Sequence, residues 1–482
     1  MNFLLVLPIL FPFLCALYLF FREVEEKYRN RVVFFCVLFN FLLVLLNVFY
    51  FKNSFFHVIR INSFFDIALK VDLFGLVFSF LVSTLWIFAA VYAMGYYSHE
   101  KNIHTFFVFF CATLGAVIGL SFSGNLFTLF LFYELLTFVT FPLFTLTHTK
   151  EAFRSGYKYL TYSISGTTAS LIGILLIFNK VGSLDFIPGG ILSDIAPHDY
   201  SYYLLAYGLT FLGFGVKAGL VPFHSWLPSA MIAPTPVSAL LDAVAVVKSG
   251  IFALTRITYF VFGPVAIMAF NGNTFALIFI LITIVAGSFL ALHQKNLKKR
   301  LAYSTISQLG YIMLGLVVFT PNSFVGGMLH MIFHAVIKIT LFFCVGAIMH
   351  VTRKTSLDEI AGIGKQLPKL MWCFSLCSIS LIGIPPTAGY VSKWYLATGS
   401  LQYGNVFVPI VLLLSALLTT GYLFPIISTA FFMPLPEKKP HVHSLDKRML
   451  IPIIVLTATV ITIGFLPNPL IEVLTRISNL VM

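Results

Sequence analysis

The chain has 482 residues, of which 59% are hydrophobic and only 10% are charged, and its mean hydropathy is +0.97. Soluble domains carry about 25% charged residues, so this composition excludes a soluble protein and indicates a multi-span membrane protein. The formal net charge of +13 would suit a nucleic-acid binder. The basic residues lie instead in short loops between apolar stretches, where they orient membrane helices, so we expect the lipid bilayer and no nucleic acid as a partner.

Apolar stretches of about 20 residues predict an all-α membrane protein with about fourteen transmembrane helices. The first stretch, residues 1–21, lacks a positively charged start and a small-residue cleavage site, so we expect a membrane helix there and not a removable signal peptide. In chain order the predicted spans are Asn2–Phe21, Arg31–Phe51, Val71–Tyr97, Phe106–Ser123, Leu126–Leu146, Tyr159–Asn179, Tyr202–Val221, Pro236–Tyr259, Phe275–His293, Leu301–Phe319, Phe324–Met349, Leu370–Tyr395, Val406–Phe432 and Leu450–Leu466.

Positive charge is concentrated in the loops that follow odd-numbered predicted spans, whereas the loops after even-numbered spans carry few lysines or arginines. The positive-inside rule then predicts that the basic loops are cytoplasmic and that both termini are outside, in the cell membrane of a bacterium or archaeon. The main basic loops are residues 22–31, 150–158, 295–300, 353–369 and 438–448.

Proline interrupts two predicted spans, the seventh at Pro222 and the twelfth at Pro385 and Pro386. Proline removes a backbone donor, and broken backbone at membrane depth persists only against protein or a hydrated cavity. Paired broken helices in the two halves of a transporter indicate inverted repeats around a transfer path. We therefore expect helices one to three in residues 1–100, a first five-helix repeat (helices four to eight) in 101–262, an inverted second repeat (helices nine to thirteen) in 263–433, and a loop with helix fourteen in 434–482.

Among the ionisable side chains inside predicted spans, six are singled out, because a charge there costs about 2.5–3.5 kcal/mol on insertion scales. A chain that keeps an acid and several bases at that cost is expected to move protons or ions past them. The six residues are Glu134, Lys217, Lys248, His334, Lys338 and Lys393.

Glu134 lies near the middle of the predicted fifth helix, and Lys217 lies five residues before Pro222. We expect Glu134 to pair with Lys217 and to set its proton affinity, since lysine, unlike arginine, can release a proton when it is desolvated. The alternatives are a protonated Glu134 bonded to a backbone carbonyl and a Lys217 side chain that reaches the membrane surface.

Lys248 lies in the predicted eighth helix and follows Asp242 by six residues. In a regular helix that spacing is about 600° of rotation, so no direct pair is expected between the two. We expect Lys248 to relay protons toward the second half.

His330, His334 and Lys338 are spaced four residues apart and share one face of the predicted eleventh helix. Imidazole exchanges protons at either nitrogen near neutral pH, so this face is predicted to conduct protons. The alternative for a single histidine is a core residue with a hydrogen-bond partner. A metal site is not expected, because it needs a further ligand and no adjacent ammonium.

Lys393 follows the break at Pro385 and Pro386 and is the expected terminal proton site, open to water on one side. Its alternative role is an interfacial anchor, since Trp394 and Tyr395 adjoin it.

The six cysteines all lie in apolar stretches, and two of them, Cys373 and Cys377, are one helical turn apart. Two thiols at that spacing are more often packing residues than metal ligands, so we expect neither a metal nor a disulfide. The sequence also lacks Walker, dinucleotide-glycine and paired-cysteine motifs. The energy must then come from an ion gradient or a partner subunit, and iron–sulfur, nickel–iron or flavin centres are left to partner subunits.

Residues 71–432 resemble the antiporter-like subunits shared by respiratory complex I, membrane-bound hydrogenases and Mrp-type Na+/H+ antiporters. The resemblance implies a fourteen-helix fold with inverted repeats, other membrane subunits as partners, and a central hydrophilic axis through Glu134, Lys217, Lys248, the eleventh-helix face and Lys393. The motifs that carry it are Tyr133-Glu134, Gly215-Val-Lys217, residues 222–228 (PFHSWLP), residues 233–241 (APTPVSALL) with Lys248, residues 299–307 (KRLAYSTIS), His334-Ala-Val-Ile-Lys338, and Gly383-Ile-Pro-Pro386 with Lys393.

Two positions bear on the place of this chain within that family. Relatives with the eighth-helix motif often carry histidine at the position of Asp242, so this acid is a further candidate site and affects how protons enter the first half. The most distal complex I subunit carries a long lateral helix that is not expected here, and its neighbour usually has glutamate at the position of Lys393. Lysine there resembles the D-type subunit of Mrp antiporters or the corresponding hydrogenase subunit.

The sequence therefore favours a proton-translocating subunit of a redox-driven ion pump, with Na+ as a second candidate ion. The alternatives are the D-type subunit of an Mrp-type antiporter and an inorganic-carbon uptake partner. Two further classes are a scaffold with an inactive proton path, which the retained lysines oppose, and a transporter of an organic substrate. The latter is opposed by the few hydrogen-bonding side chains beside the seventh-helix break, Ser225, Ser229 and Thr235.

Overall fold

The structure is a computed structural model that describes residues 3–50, 54–98, 103–192, 195–434 and 445–482. Lys438 and Lys439 of a predicted basic loop lie outside these ranges. The helices are α1 (Phe3–Phe21), α2 (Glu26–Tyr50), α3 (Leu73–Tyr96), α4 (Ile103–Ser121), α5 (Leu126–Phe144), α6 (Lys150–Val181), α7 (Tyr200–Gly215), α8 (Trp226–Ser229), α9 (Thr235–Ala243), α10 (Val246–Arg256), α11 (Pro264–Ala269), α12 (Gly272–Leu292), α13 (Leu297–Val317), α14 (Pro321–Thr352), α15 (Ile363–Gln366), α16 (Pro368–Ile382), α17 (Ala388–Gln402), α18 (Phe407–Phe432), α19 (Lys447–Phe465) and α20 (Asn468–Val481), and the strands are β1 (Ser54–Arg60) and β2 (Asp66–Val71).

Apolar helices of membrane-spanning length recur along the described ranges. Ten helical segments there are long and apolar enough to cross a bilayer, and shorter apolar helices include Leu5–Phe21 and Pro368–Ile382. The predicted all-α membrane fold is therefore confirmed. The count of fourteen spans and the two inverted repeats, 101–262 and 263–433, stay predictions.

The seventh predicted span is broken earlier than the sequence indicated. Helix α7 ends at Gly215, whereas the prediction continued it to Val221. Gly219 follows with a left-handed backbone (φ +71°), which a residue without a Cβ atom adopts at no steric cost. Pro222 lies in the turns beyond it, ahead of α8. Lys217 therefore lies in the broken segment and not on a helix.

The twelfth predicted span is divided into α16 and α17. Helix α16 ends at Ile382, and Gly383 terminates it in a left-handed conformation (φ +92°). Pro385 and Pro386 occupy the turn before α17 begins at Ala388. The carbonyls at the end of α16 have no helical donor, so they are open to side-chain partners.

The eighth predicted span is interrupted as well, which the sequence analysis did not predict. The N–H groups of Val244 and Ala245 both point to the carbonyl of Leu240, at 3.2 and 2.8 Å. This extra residue is a local bulge between α9 and α10, and it changes the rotational phase of everything that follows. Asp242 and Lys248 are therefore not on one regular helix, and among the described residues their side chains bond other groups, Thr305 and His334, and not each other.

A hairpin and an additional C-terminal helix lie beside the spans and were not predicted. Strands β1 and β2 pair antiparallel, and the N–H of Lys70 in β2 donates to Phe122 at 2.7 Å. Helix α20 buries one apolar face through Leu474, Ile477 and Val481. Their spacing of three and four residues gives one stripe along the helix.

A buried ion pair joins the start of α3, directly after the hairpin, to the end of α10. Arg256 donates to both carboxylate oxygens of Asp72, at 2.5 and 2.8 Å. Asp72 also caps α3 by accepting from the N–H of Gly75 at 2.8 Å. Four aromatic rings surround the guanidinium with centroids 4.5–5.2 Å away, namely Phe74, Phe186, Phe252 and Phe260.

Candidate functional site: a buried line of ionisable residues

The ionisable residues singled out in the spans lie in the interior. Lys217, Asp242, Lys248, His334 and Lys338 have 0% exposure and His330 has 1%, whereas Glu134 and Lys393 are half-buried. They are carried by α5, the break after α7, α9, α10, α14 and α17. Charge buried to this extent is retained in membrane proteins mainly along ion or proton pathways.

Lys217 binds the backbone next to Glu134 and not the carboxylate itself. Its amine donates to the carbonyl of Tyr133 at 2.6 Å and lies 3.7 Å from the centroid of the Tyr133 ring. Glu134 forms no salt bridge with it, and the buried Oε2 atom of Glu134 has no hydrogen-bond partner in the described part of the chain. The described residues thus show no direct contact between the two side chains, only an electrostatic interaction over a longer distance, and the pairing of Glu134 with Lys217 stays a prediction.

Tyr133 is held in place by the end of α7. Its hydroxyl donates to the carbonyl of Phe214 at 2.9 Å, and the two rings meet edge to face at 4.9 Å. The break in the chain directly after Phe214 brings the amine of Lys217 back over this ring. The cation–π contact and the carbonyl together satisfy a buried amine without an ion pair.

Lys248 meets His334 directly. The amine lies 2.6 Å from Nδ1 of the imidazole, and Nε2 of His334 is buried without a partner among the described residues. Helix α10 belongs to the predicted first repeat and α14 to the second. The structure therefore brings the two halves together through one hydrogen bond between two titratable groups.

His330 continues the line away from His334. The centroids of the two imidazole rings are 6.0 Å apart. Nε2 of His330 lies 3.0 Å from Oε1 of Gln308, and Nδ1 lies 2.9 Å from the hydroxyl of Ser392. Ser392 directly precedes Lys393, so this histidine links α14 to the helix that carries the last lysine.

Lys393 points inward to the end of α16. Its amine donates to the carbonyls of Leu381 and Ile382, both at 2.8 Å, and lies 5.1 Å from the Tyr311 ring centroid. A cation at a helix C-terminus is favoured by the unpaired carbonyls there. Trp394 is 56% exposed, so the anchor role proposed for this segment falls to Trp394 and leaves the amine of Lys393 in the interior.

Asp242 and Lys338 form a second arm of the cluster. The hydroxyl of Thr305 donates to Oδ2 of Asp242 at 2.6 Å, while Oδ1 is buried and has no partner within the described ranges. The amine of Lys338 donates to the carbonyl of Leu301 at 2.7 Å and to the hydroxyl of Ser304. Asp242 interacts electrostatically with Lys338 and also with Lys248.

The sequence analysis missed the neutral partners on α13. Ser304, Thr305 and Gln308 are spaced one to four residues apart inside an apolar span, which places them along one side of the helix. That spacing was a usable signal. Hydroxyl and amide groups can both donate and accept, and these three bond Lys338, Asp242 and His330 respectively.

The residues at bonding distance in this network are amines, imidazoles, hydroxyls and one carboxylate. In the part of the chain that is described, no group of three histidine, cysteine or acidic side chains is arranged to hold a metal ion. The six cysteines are free. The arrangement suits stepwise proton exchange between nitrogen and oxygen atoms.

Two curated proteins are similar to this chain over most of its length. The chain is 28% identical to the D-type subunit of the Na(+)/H(+) antiporter of Alkalihalophilus pseudofirmus, covering 100% of this chain and 98% of that protein. It is 33% identical to "NADH-quinone oxidoreductase subunit N" of Desulforudis audaxviator, covering 80% of this chain and 78% of that protein.

Two solved structures show the same fold. A chain of the Mrp complex from Dietzia sp. DQ12-45-1b aligns with a TM-score of 0.89 at 21% identity, covering 100% of this chain and 98% of that one. A chain of the archaeal membrane-bound sulfane sulfur reductase aligns with a TM-score of 0.88 at 23% identity, covering 99% and 97%. Residues 123–419 match the family described as "NADH:quinone oxidoreductase/Mrp antiporter, TM", and the chain belongs to this family of antiporter-like membrane subunits.

Proposed function

We propose that this chain is the proton-translocating subunit of a multisubunit, redox-driven membrane complex. The observation that carries the proposal is the 2.6 Å contact between Lys248 and His334. It joins the line that begins at Glu134 and Lys217 to the line that ends at Lys393. Protons are the ion that such a series of amines and imidazoles transfers.

The steps follow the contacts. A partner subunit shifts the position or charge of Glu134, and the electrostatic hold of that acid on the ammonium of Lys217 weakens. Lys217 releases its proton toward Lys248, which passes it to Nδ1 of His334 across their hydrogen bond. His334 then releases the proton from the unpartnered Nε2 side, and the ring returns to its starting tautomer before the next proton arrives.

The second half completes the path. His330 receives the proton 6.0 Å away and passes it along its bond with Ser392 to the amine of Lys393. The C-terminal carbonyls of α16 stabilise the ammonium there. Release from Lys393 to water on one side of the membrane ends the cycle.

The chain supplies the membrane path, and its partners supply the energy. In this proposal, iron–sulfur, nickel–iron or flavin centres in a redox arm carry the electrons, and other membrane subunits complete the complex. The basic loops face the cytoplasm and both termini face outside, in line with the positive-inside rule.

A stand-alone Mrp-type antiporter is the second candidate. It is favoured by the match to the D-type subunit of a Na(+)/H(+) antiporter, which extends over 100% of this chain and 98% of that protein. In that case the complex exchanges Na+ for protons and needs no electron donor.

The first test is mass spectrometry of the intact complex purified through this chain in mild detergent. Stoichiometric hydrogenase or quinone-reductase subunits support the redox-driven complex. Small hydrophobic membrane subunits without iron–sulfur proteins support the antiporter.

The second test concerns transport itself. Lys217→Ala and Lys248→Ala should each abolish coupled proton transport in everted membrane vesicles while the complex still assembles. Lys295→Ala is the matched control, because this lysine is 79% exposed and pairs with Asp358 at the surface. Normal transport in both interior variants contradicts the proposal.

A further inference from the structure

We propose that Asp242 couples the protonation of two lysines, Lys338 and Lys248, so that a proton on Lys338 drives the transfer from Lys248 to His334, while Lys338 itself does not pass protons on to Lys393. This inference rests on the proposed function of proton translocation. It makes Asp242 a positioning residue, which acts through the charge that it presents to the two amines.

The contacts that α14 makes with α13 show the order of the α14 residues along the proposed proton path. Lys338 is bonded to the carbonyl of Leu301, whereas His330 is bonded to Gln308, seven residues further along α13. That difference is about 10 Å along a helix. His334 lies one turn from each of them on α14, so Lys338 and His330 lie on opposite sides of His334. Only the His330 side leads to Lys393.

Asp242 contacts α13 at the same height as Lys338, and therefore on the side of His334 away from His330. Its partner Thr305 follows Ser304, the hydroxyl partner of Lys338, directly in the sequence. Asp242, near the end of α9, has 0% exposure, and one of its oxygens has no partner in the described chain. A buried carboxylate oxygen with no donor favours any ammonium that approaches it.

The two amines cannot share this carboxylate equally. Lys338 of α14 and Lys248 of α10 are the titratable groups that interact with Asp242, and α13 contributes the neutral hydroxyl of Thr305. The two lysines form their hydrogen bonds with other groups. The amine of Lys248 bonds His334, and the amine of Lys338 bonds the carbonyl of Leu301 on α13. One carboxylate neutralises one ammonium, and the lysines repel each other when both are charged.

This competition gives the cluster a direction. When Lys338 binds a proton, its ammonium is stabilised by the carboxylate of Asp242, and the same carboxylate stabilises the ammonium of Lys248 less. Lys248 then holds its proton less tightly and gives it to His334 across the existing hydrogen bond. Lys338 therefore drives the exit of the proton from Lys248, and the path to Lys393 runs through His334 and His330 alone.

The test measures the pH profile of proton transport in everted vesicles that contain the whole complex, with a pH-sensitive dye and a sodium pulse or the electron donor of the complex. Asp242→Asn should lower the rate at neutral pH at least tenfold. It should also move the pH of half-maximal rate down by about one unit, because the amines lose the anion that stabilises their charged forms. Asp242→Glu should restore most of the rate, and Asp358→Asn, an exposed acid, should change neither quantity.

A second pair of variants tests the order and does not depend on the fate of Asp242→Asn. His330→Gln should reduce transport more than tenfold, whereas Lys338→Gln should leave a reduced but measurable rate, with protons arriving through Lys217 and Lys248. Equal loss in both variants, or an unchanged pH profile in Asp242→Asn while Lys217→Ala is inactive, overturns this inference. If Lys217→Ala and Lys248→Ala transport normally, the proposed function fails first.

Discussion

The amine of Lys248 and Nδ1 of His334 lie 2.6 Å apart, and both side chains are fully buried. The first belongs to the predicted first repeat and the second to the predicted second repeat. A hydrogen bond with a charged partner is shorter and stronger than a neutral one. In the proposed path, a proton crosses between the two predicted repeats at this contact.

Replacing His334 by alanine should break that crossing. We expect His334→Ala to lower proton transport at least tenfold, because Lys248 loses the acceptor for its proton, while the yield of the assembled complex stays near that of the wild type. The measurement is dye quenching in everted vesicles. His293→Ala is the control, since His293 is exposed at the end of α12 and bonds only the local carbonyl of Phe289. Similar activities of the two variants would contradict the crossing.

The role of the Lys393 amine can be tested separately from the role of its exposed neighbour, Trp394. Lys393→Arg keeps a cation at the end of α16 but cannot release a proton, since arginine stays protonated. We expect this variant to assemble and to lose transport. Trp394→Ala should retain transport, because Trp394 is exposed and contributes at most anchoring. A fully active Lys393→Arg variant would show that the residue serves only as a helix cap.

Glu134 acts on Lys217 at a distance, so its removal should be milder than removal of the lysine. Glu134→Gln keeps the size of the side chain and removes its charge. We expect a transport rate about tenfold lower than that of the wild type, which corresponds to about 1.4 kcal/mol in the rate-limiting barrier. Comparison with Lys217→Ala in the same vesicles checks the order of the two effects. Complete loss in both would instead indicate that Glu134 itself carries the proton.

The Asp72–Arg256 pair should be the strongest electrostatic determinant of stability outside the proton path. Arg256→Ala leaves Asp72 buried without its partner, and breaking a buried pair in this way costs about 3–5 kcal/mol. Thermal unfolding of the purified complex in detergent should register a large decrease. The exposed pair of Lys295 and Asp358 is the control, because Lys295→Ala should change stability by less than about 1 kcal/mol.

The Asp72–Arg256 pair also makes the stability of the fold depend on pH in the acid range. Burial opposes ionisation of Asp72, but the charge and hydrogen bonds of Arg256, together with the N–H of Gly75, outweigh it and hold the pKa of Asp72 below its usual value of 3.8. A carboxyl whose pKa is lower in the folded state stabilises the fold above the unfolded value and loses that stabilisation as the pH falls through the folded one. We expect stability to decrease below about pH 4, and the decrease should be weaker in Asp72→Asn.

The sequence analysis recovered the two proline breaks and the ionisable residues, because proline and apolar length act locally. It missed three features that depend on packing. Helix α7 ends before Lys217, a bulge at Val244 and Ala245 interrupts the eighth predicted span, and Asp242 bonds the hydroxyl of Thr305 on α13. The spacing of residues along the chain predicts none of these features, because each depends on how neighbouring helices pack.

The chain by itself determined that this protein is a multi-span membrane protein with charge inside its spans, because hydropathy and the cost of buried charge are properties of each segment alone. Only the tertiary structure decided which buried groups meet. Lys217 bonds the carbonyl of Tyr133, 84 residues away, and Lys248 bonds His334, 86 residues away. The packing of helices sets these partners, within the predicted first repeat for Lys217 and between the two predicted repeats for Lys248, and no local pattern encodes them.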